Sequence, residues 1–290
     1  MTGLSINHYL APAGYSLTAF LDEAAAAGAS GVGLTERSFA EIPVATLKPM
    51  LRERGLSVTS VNSAGFFLWG NPERARQQRS INTSLIQNAA ELAADTVVLI
   101  GGGLHDFGPE DDITSLSRAR STFESELPAI IDEAERHGVR LGVEPMHPIR
   151  IFTKATLNTL AQTAALCDRH PKLGVVLDLF HCWWDPDLEP MLERLATRLT
   201  LVQLCGVVQP RQPELLPKRC LLREGVADVG GMLEMLHRFG YAKSFEFELF
   251  AHDLDGRTVS DTMRAVVNDF ATLARGTYSF APTADAHRHG

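Results

Sequence analysis

The sequence lacks the patterns that mark several large classes of protein. Its four cysteines form no CxxC pair, which excludes a zinc knuckle and a thioredoxin-like redox motif. No apolar run approaches the roughly 20 residues that a membrane-spanning helix needs. The first residues, MTGLSINHYL, contain neither the basic nor the apolar region of a signal peptide. Free thiols without a targeting segment predict a cytoplasmic protein.

Basic charge is also scarce. Lysine and arginine number 27 against 35 aspartates and glutamates, so the formal net charge is -8. A protein that binds nucleic acid or an anionic membrane surface needs a basic face. The composition therefore predicts neither partner and favours a small molecule. The 290 residues suffice for one large domain, and an α/β barrel needs about 250.

Short apolar segments, each following a helical stretch, recur along the chain. They fall within residues 4–9, 24–36, 52–63, 91–103, 135–145, 169–181, 197–206 and 238–250. Apolar runs bounded by glycine or proline are typical of strands buried on both faces, and alternation with helices indicates a parallel sheet. Eight such units predict an α/β protein, a (β/α)8 TIM barrel, formed as a single domain by residues 1–280. A helix at about 258–275 would close the ring, and residues 281–290 would form a flexible C-terminal tail.

An open, doubly wound sheet is the alternative architecture. No GxGxxG motif follows the first predicted strand, and the three glycines Gly101 to Gly103 are not followed by Lys-Ser or Lys-Thr. The sequence thus has neither a dinucleotide fingerprint nor a phosphate-binding P-loop. We interpret the three glycines as a tight turn at the mouth of the barrel, with close approach of a substrate as the second interpretation.

Oxygen-bearing side chains stand near the ends of four consecutive predicted strands: Glu144, Asp178, Gln203 and Glu248. Active sites of such barrels lie at the C-terminal ends of the strands. Buried carboxylates that converge there repel one another unless a cation lies between them. For any single carboxylate, an ion pair with a basic residue or a helix cap is the alternative. Together they predict a divalent metal site, and hard oxygen ligands favour Mg or Mn, with Co or Zn as further candidates.

Glu246 and Glu248 should face the barrel interior together, because side chains two apart on a strand share a face. Glu248 lies nearer the mouth and is the better candidate ligand. Glu246 would lie one layer deeper, and we expect a basic residue to pair with it.

Several short motifs occur in a characteristic order. They are Glu-Pro-Met-His-Pro at 144–148, Asp-Leu-Phe-His at 178–181, Val-Gln-Leu-Cys at 202–205, Arg-Glu-Gly at 223–225 and Glu-Leu-Phe at 248–250. In order and strand placement they resemble the sugar phosphate isomerase/epimerase family. These are xylose-isomerase-like TIM barrels that include ketose 3-epimerases, inosose isomerases and 3-dehydroshikimate dehydratases.

The resemblance implies metal ligands at Glu144, Asp178, Gln203 and Glu248, with Gln203 where most members have histidine. The aspartate that commonly follows is replaced by Gly206.

The resemblance also implies substrate contacts by His181 and by an arginine before the seventh helix. Arg223 is the first candidate for that arginine, and Arg219 is its rival. His147 and His8 each follow a predicted strand at the same rim, so they are further candidates for substrate binding.

The implied enzyme is a divalent-metal-dependent isomerase or epimerase of a small sugar or keto-polyol. Glu144 and Glu248 would act as base and acid, and a proton would be abstracted next to a carbonyl to give a metal-bound enediolate. A metal-dependent dehydratase of the 3-dehydroshikimate or keto-inositol type is the alternative, which Gln203 favours because some dehydratases share it. A DNA-repair endonuclease of this fold is disfavoured by the acidic charge, and a non-catalytic sugar-binding barrel by the two opposed glutamates. Homodimers or homotetramers are common in such proteins.

Overall fold

The computed structural model describes residues 3–107, 115–209 and 216–279. The strands are β1 (Leu4–Asn7), β2 (Gly31–Thr35), β3 (Ser57–Gly65), β4 (Thr96–Ile100), β5 (Leu141–Val143), β6 (Gly174–Asp178), β7 (Leu199–Leu204), β8 (Gly206–Val208), β9 (Lys218–Cys220) and β10 (Phe245–Phe247). The helices are α1 (Leu17–Ala26), α2 (Glu36–Glu41), α3 (Val44–Glu53), α4 (Pro72–Leu92), α5 (Leu116–Arg136), α6 (Leu160–Arg169), α7 (Leu179–Cys182), α8 (Leu188–Leu195), α9 (Val229–Arg238) and α10 (Val259–Ser279).

Eight parallel strands close into a barrel in the order β1-β10-β7-β6-β5-β4-β3-β2. The ring closes where Ile6 of β1 lies opposite Phe247 of β10. The predicted (β/α)8 barrel is thus confirmed. Seven of the eight segments singled out by their apolar pattern contain one barrel strand each, and β3 extends two residues beyond the end of the segment 52–63.

The core lies between the barrel and its outer helices. Every residue of β4 is buried, as expected for a strand covered on both faces. The helix α5 shows the complementary pattern, with Phe123, Leu127 and Ile130 buried along one side of an otherwise polar helix. It begins where the Ser115 hydroxyl accepts a hydrogen bond from the backbone N–H of Arg118 at 3.2 Å, as a helix cap does.

A small antiparallel hairpin, β8 and β9, stands outside the barrel after β7. Sequence periodicity did not predict it, because strands of three residues are too short to show alternation. Residues 210–215, between its strands, lie outside the described part of the chain. The hairpin carries Arg219 of β9 towards the C-terminal mouth of the barrel, where the residue contacts Asp178.

The three glycines after β4 allow the loop to pack closely against the chain's own backbone. The N–H of Gly102 donates to the carbonyl of Lys154 at 3.0 Å. A Cβ atom on Gly103 would lie 2.5 Å from the carbonyl oxygen of Phe152. This close packing explains the glycine at position 103, since any side chain would displace the segment that follows β5. Close approach of a substrate is not needed to explain it.

The helix α10 covers the span predicted for the closing helix. The predicted tail, residues 281–290, lies outside the described residues. Within the described ranges, no helix combines the length and apolar character needed to cross a membrane.

Candidate active site

A cavity of about 300 Å³ opens at the C-terminal ends of the barrel strands. It is lined by Tyr9, Ser63, Ile100, Glu144, Met146, Arg150, Lys154, His181, Arg219, Glu248, Phe250 and His252. Eight of these twelve residues carry ionisable side chains. Acidic groups from the strand ends and basic groups from the loops therefore face one space.

Three carboxylates converge beneath this cavity, as the strand ends predicted. Glu144 follows β5, Asp178 ends β6 and Glu248 follows β10, and each is at most 5% exposed. Backbone hydrogen bonds hold the two glutamates on the barrel: the N–H of Glu144 donates to Leu99, and that of Glu248 to Leu204, both at 3.1 Å. The barrel itself, rather than a flexible loop, therefore sets the spacing of these carboxylates.

A buried guanidinium lies between two of the carboxylates. Arg219 donates from Nη1 to Asp178 Oδ1 at 3.0 Å and from Nη2 to Asp178 Oδ2 at 2.5 Å. The same Nη2 is 2.8 Å from Glu248 Oε2. The guanidinium also lies over the ring of Phe180, 4.5 Å from its centroid. Arg219 thus provides positive charge inside the acidic cluster.

Burial and mutual repulsion change how the carboxylates hold protons. Burial, followed by the charges of Glu248 and Asp178, raises the pKa of Glu144 well above its usual value. Burial also raises the pKa of Glu248 to about 8, although Arg219 opposes the shift. Burial acts in the same direction on Asp178, but Arg219 and then His181 outweigh it and hold its pKa below the usual value. At neutral pH we therefore expect Asp178 to be ionised, and protons to be held by the two glutamates.

His181 is neutral in this setting. Its Nε2 lies 3.6 Å from both Glu144 Oε1 and Asp178 Oδ2. Burial lowers its pKa to about 3, even though Asp178 acts in the opposite direction. Its Nδ1 is buried without a hydrogen-bond partner among the described residues. A neutral imidazole here can donate or accept a hydrogen bond, or ligate a metal, without adding charge.

Gln203 of β7 is fully buried, and its amide orientation is set by neighbouring carboxylates. Its Nε2 donates to Glu246 Oε1 at 3.0 Å and lies 3.4 Å from Glu248 Oε1. The amide oxygen is consequently directed elsewhere, and it has no hydrogen-bond partner in the described part of the chain. A buried carbonyl oxygen without a partner is unfavourable unless a cation or a donor binds it.

The expected basic partner of Glu246 is absent from the described residues, so that expectation was wrong. Instead, Glu246 accepts hydrogen bonds from Asn7 Nδ2 at 2.8 Å and from the hydroxyls of Thr59 and Ser60, both at 2.7 Å. With Gln203 as a further donor, neutral groups from several strands satisfy this carboxylate. The layer below the cavity therefore needs no counter-ion.

These residues fit a divalent cation. Glu144, Asp178 and His181 each offer a ligand atom within 4.8 Å of the others, and the unpartnered oxygen of Gln203 is a further donor. Three ionised carboxylates and one guanidinium would together carry two negative charges, which a divalent cation balances. The nitrogen of His181 was not among the expected ligands, and it makes Zn or Co better candidates than an all-oxygen set would.

Three residues expected to bind substrate lie outside the residues that line this cavity. His8 is fully buried, with Nδ1 2.7 Å from Ser38 Oγ, and burial lowers its pKa to about 4. His147 caps the turn after β5 by accepting from the N–H of Ile149 at 3.1 Å. Arg223 has a side chain that is 59% exposed and lies 3.9 Å from Asp269. Arg219, the alternative to Arg223, is the arginine that reaches the carboxylates.

Other lining residues were missed by the sequence analysis. Tyr9 follows β1, Arg150 and Lys154 follow β5, and Phe250 and His252 follow β10. Tyr9 and Phe250 are the last residues of predicted segments, and the other three lie within nine residues after one, so their position was a usable indication. The direction of a side chain in an irregular loop has no sequence period, however, and could not be predicted.

The fold and the acidic cluster define a (β/α)8 barrel with a buried polar site at its C-terminal mouth, where barrel enzymes carry out their chemistry. A family model described as xylose isomerase-like TIM barrel matches residues 21–269. The chain therefore belongs to the xylose isomerase-like TIM barrel family, as its motifs predicted.

Solved structures resemble the chain over nearly its full length. Protein SMc04130 from Sinorhizobium meliloti 1021 is 25% identical, with a TM-score of 0.83 over 93% of this chain and 98% of that one. The IolI protein with a bound zinc atom is 16% identical, with a TM-score of 0.80 over 97% and 100%. An L-ribulose 3-epimerase is 16% identical, with a TM-score of 0.77 over 100% of both chains. The likeness to the IolI protein and to the L-ribulose 3-epimerase shows a shared fold. A comparison with curated protein sequences gave no match.

Proposed function

We propose that the protein is a divalent-metal-dependent isomerase or epimerase that moves a proton next to the carbonyl of a small sugar or keto-polyol. The observation that carries the proposal is the pair Glu144 and Glu248, two buried glutamates with raised pKa values that face one cavity. The zinc atom of the IolI structure and the sugar chemistry named for the L-ribulose 3-epimerase support this class of reaction.

Glu144, Asp178, Gln203 and Glu248 would hold the metal, and His181 is a further donor or a substrate contact. A divalent cation in this position would polarise the substrate carbonyl and stabilise the negative charge that develops when the neighbouring C–H loses its proton. The nitrogen donor of His181 leads us to include Zn and Co beside Mg and Mn.

Proton transfer is assigned to the two glutamates. In the metal-free protein, burial and mutual repulsion favour a proton on both glutamates. Loss of one of these protons when a cation binds would leave one glutamate able to accept a proton and the other able to donate one. The ionised glutamate removes the proton beside the carbonyl, and the protonated one returns a proton to the other face or the neighbouring carbon. A pKa of about 8 for Glu248 is close to the value at which a general acid or base works best near neutrality.

Two further residues orient the substrate. Arg219 is held against Asp178 and Glu248 but also lines the cavity, so its guanidinium is in position to donate to a substrate oxygen. His181 is neutral and can donate or accept at the same surface. These contacts would fix which C–H bond lies within reach of a glutamate.

Hydrogen exchange with solvent tests the reaction directly. The metal-free protein, reloaded with Mg, Mn, Co or Zn, is incubated in D2O with a panel of ketoses and keto-polyols, and NMR follows the carbon next to the carbonyl. We expect metal-dependent deuterium incorporation at that carbon, accompanied by an epimer or isomer. Exchange that is absent with every metal and ketone would contradict the proposal. A product that has lost water would instead assign the site to a dehydratase.

Metal affinity is expected to rise with pH between about 6 and 8. A proton on Glu144 or Glu248 must leave before that carboxylate binds the cation, because a metal ligand must be deprotonated. Each displaced proton strengthens the apparent affinity by up to about tenfold for each pH unit below the pKa of the group. Titration calorimetry with Mn²⁺ and Zn²⁺, in buffers of different ionisation enthalpy, measures both the affinity and the protons released. Binding that is independent of pH and releases no proton would contradict this assignment.

A further inference from the structure

We propose that the substrate carries an anionic group, a carboxylate or a phosphate, and that Arg150 and Lys154 bind this group at the rim of the active-site cavity. The inference rests on the proposed function and narrows its substrate class. Both residues belong to the segment that follows β5, and both line the same cavity as Glu144 and Glu248.

Arg150 is a half-buried cation that makes no direct ion pair with a described carboxylate. Burial, and then the charge of Arg219, lower its pKa, while the charge of Asp253 acts in the opposite direction. Among the described residues, no carboxylate lies within ion-pair distance of its guanidinium, whereas exposed arginines such as Arg169 do pair, here with Glu124. A partly desolvated guanidinium without a partner is unfavourable, and its planar fork suits two oxygens of a carboxylate or phosphate. The side chain is therefore available to an anion that enters the cavity.

Lys154 adds a second positive charge to the same rim. Its Nζ lies 5.5 Å from the centroid of the Phe66 ring, and it makes no ion pair with any described carboxylate. Its charge acts to lower the pKa of Glu144, which indicates that it lies near the catalytic end of the cavity. The two cations are thus close enough to the reacting centre to serve one small substrate.

The segment that bears these cations is held in place before any ligand binds. The carbonyl of Arg150 accepts from the N–H of Lys154 at 2.8 Å, and the N–H of Leu104 donates to Ile151 at 3.0 Å. Gly103 permits this contact, because a Cβ atom there would meet Phe152. A binding group that is already ordered loses little conformational entropy when its ligand arrives. Close packing of the glycine-rich loop thus fixes the position of the anion-binding residues.

The cavity receives negative charge from the strand ends and positive charge from the segment that follows β5. The carboxylates of Glu144, Asp178 and Glu248 lie at the strand ends, with Arg219 among them, while Arg150 and Lys154 come from a loop. A neutral sugar would leave the loop cations unpaired. A hydroxy-ketone that carries an acidic group would place its carbonyl near the glutamates and its anion near Arg150 and Lys154. Carboxylate and phosphate share this chemistry, so the experiment includes both.

The test compares three ligands that differ only at one terminal carbon: D-fructose, D-fructuronate and D-fructose 6-phosphate. Calorimetry with the full chain measures the dissociation constant of each. We expect at least one anionic ligand to bind about tenfold or more tightly than fructose, since hydrogen bonds to a charged group are stronger than neutral ones. The anionic ligand with the lower dissociation constant identifies the preferred group as a carboxylate or a phosphate.

Two substitutions locate the effect, and a third controls for net charge. Arg150→Met and Lys154→Met should each reduce the preference for the anion by about threefold or more, while Lys48→Met, on the exposed surface of α3, should leave it unchanged. Anionic ligands that bind no more tightly than fructose, or a preference that survives both loop substitutions, would overturn the proposal. Binding is measured without turnover, so a failure of the exchange reaction with a retained anion preference would count against the proposed function alone.

Discussion

Replacement of Arg219 by glutamine is expected to lower the free energy of unfolding of the metal-free protein by about 3–5 kcal/mol. The guanidinium contacts both oxygens of Asp178 and one of Glu248, and all three side chains are buried. Without it, Asp178 would either remain ionised without a counter-charge or take up a proton at neutral pH. Both outcomes cost free energy, because a buried carboxylate is stable only when it is paired, coordinated or protonated.

Arg223→Gln is the matched control for this prediction. The substitution is the same, four positions along the chain, but the Arg223 side chain is 59% exposed and its carboxylate neighbour is 3.9 Å away. Exposed pairs of this kind contribute about 0–1 kcal/mol, so we expect little change in stability. Urea unfolding in the presence of a chelator measures both variants. Equal effects of the two substitutions would show that the contacts of Arg219 do not stabilise the metal-free protein.

The same variant shows how Arg219 relates to a metal. In the metal-free arrangement its guanidinium takes both oxygens of Asp178, which is also an expected ligand. We expect Arg219→Gln to bind a divalent cation more tightly than the parent protein does, because a competing positive charge has been removed. Added metal should then restore much of the lost stability, by mass action on the folded state. Weaker metal binding in the variant would mean that the guanidinium keeps the carboxylates in a position that favours metal binding, rather than competing with the cation for Asp178.

The sequence predicted the barrel and its acidic cluster for one physical reason. Strands that are buried on both faces are apolar along their whole length, so Glu144, Asp178 and Glu248 stand out where they interrupt or follow such runs. Parallel strands in a closed barrel bring those ends to one mouth. The position of these three residues follows from periodicity and topology, without knowledge of any loop.

The remaining parts of the site depend on loops and partners that have no period. Arg219 reaches Asp178 because a hairpin outside the barrel carries it there. The sequence alone offered Arg219 only as the rival of Arg223 for the arginine that contacts substrate. His8 stands next to a barrel strand end, as a site residue should, yet it turns towards Ser38 and the core. Glu246 was expected to need a cation, but hydroxyls and amides of neighbouring strands satisfy it. In each case the partner comes from a distant segment, which the local sequence does not reveal.

Glutamine in place of Glu144 or Glu248 is expected to reduce the rate of deuterium exchange by about 100- to 10,000-fold. Glutamine keeps the shape of the side chain but can neither accept nor carry the transferred proton, and proton transfer by a positioned group contributes about this factor. Stability should change little or rise slightly in the metal-free protein. Each substitution removes a carboxylate whose ionised form is disfavoured by burial and by its acidic neighbours.

Glu36→Gln provides the matched control, because Glu36 is an exposed glutamate that directly follows β2 on the same side of the barrel. It should retain the exchange rate of the parent protein. The readouts are the exchange rate, kcat and KM for the substrate found in the panel, and the affinity for the metal, so that lost binding is separated from lost proton transfer. If either active-site variant retained exchange within about threefold while still folded, the proton would have to move through another group. His181 would then be the first to replace, since its Nε2 lies 3.6 Å from Glu144 in the same cavity.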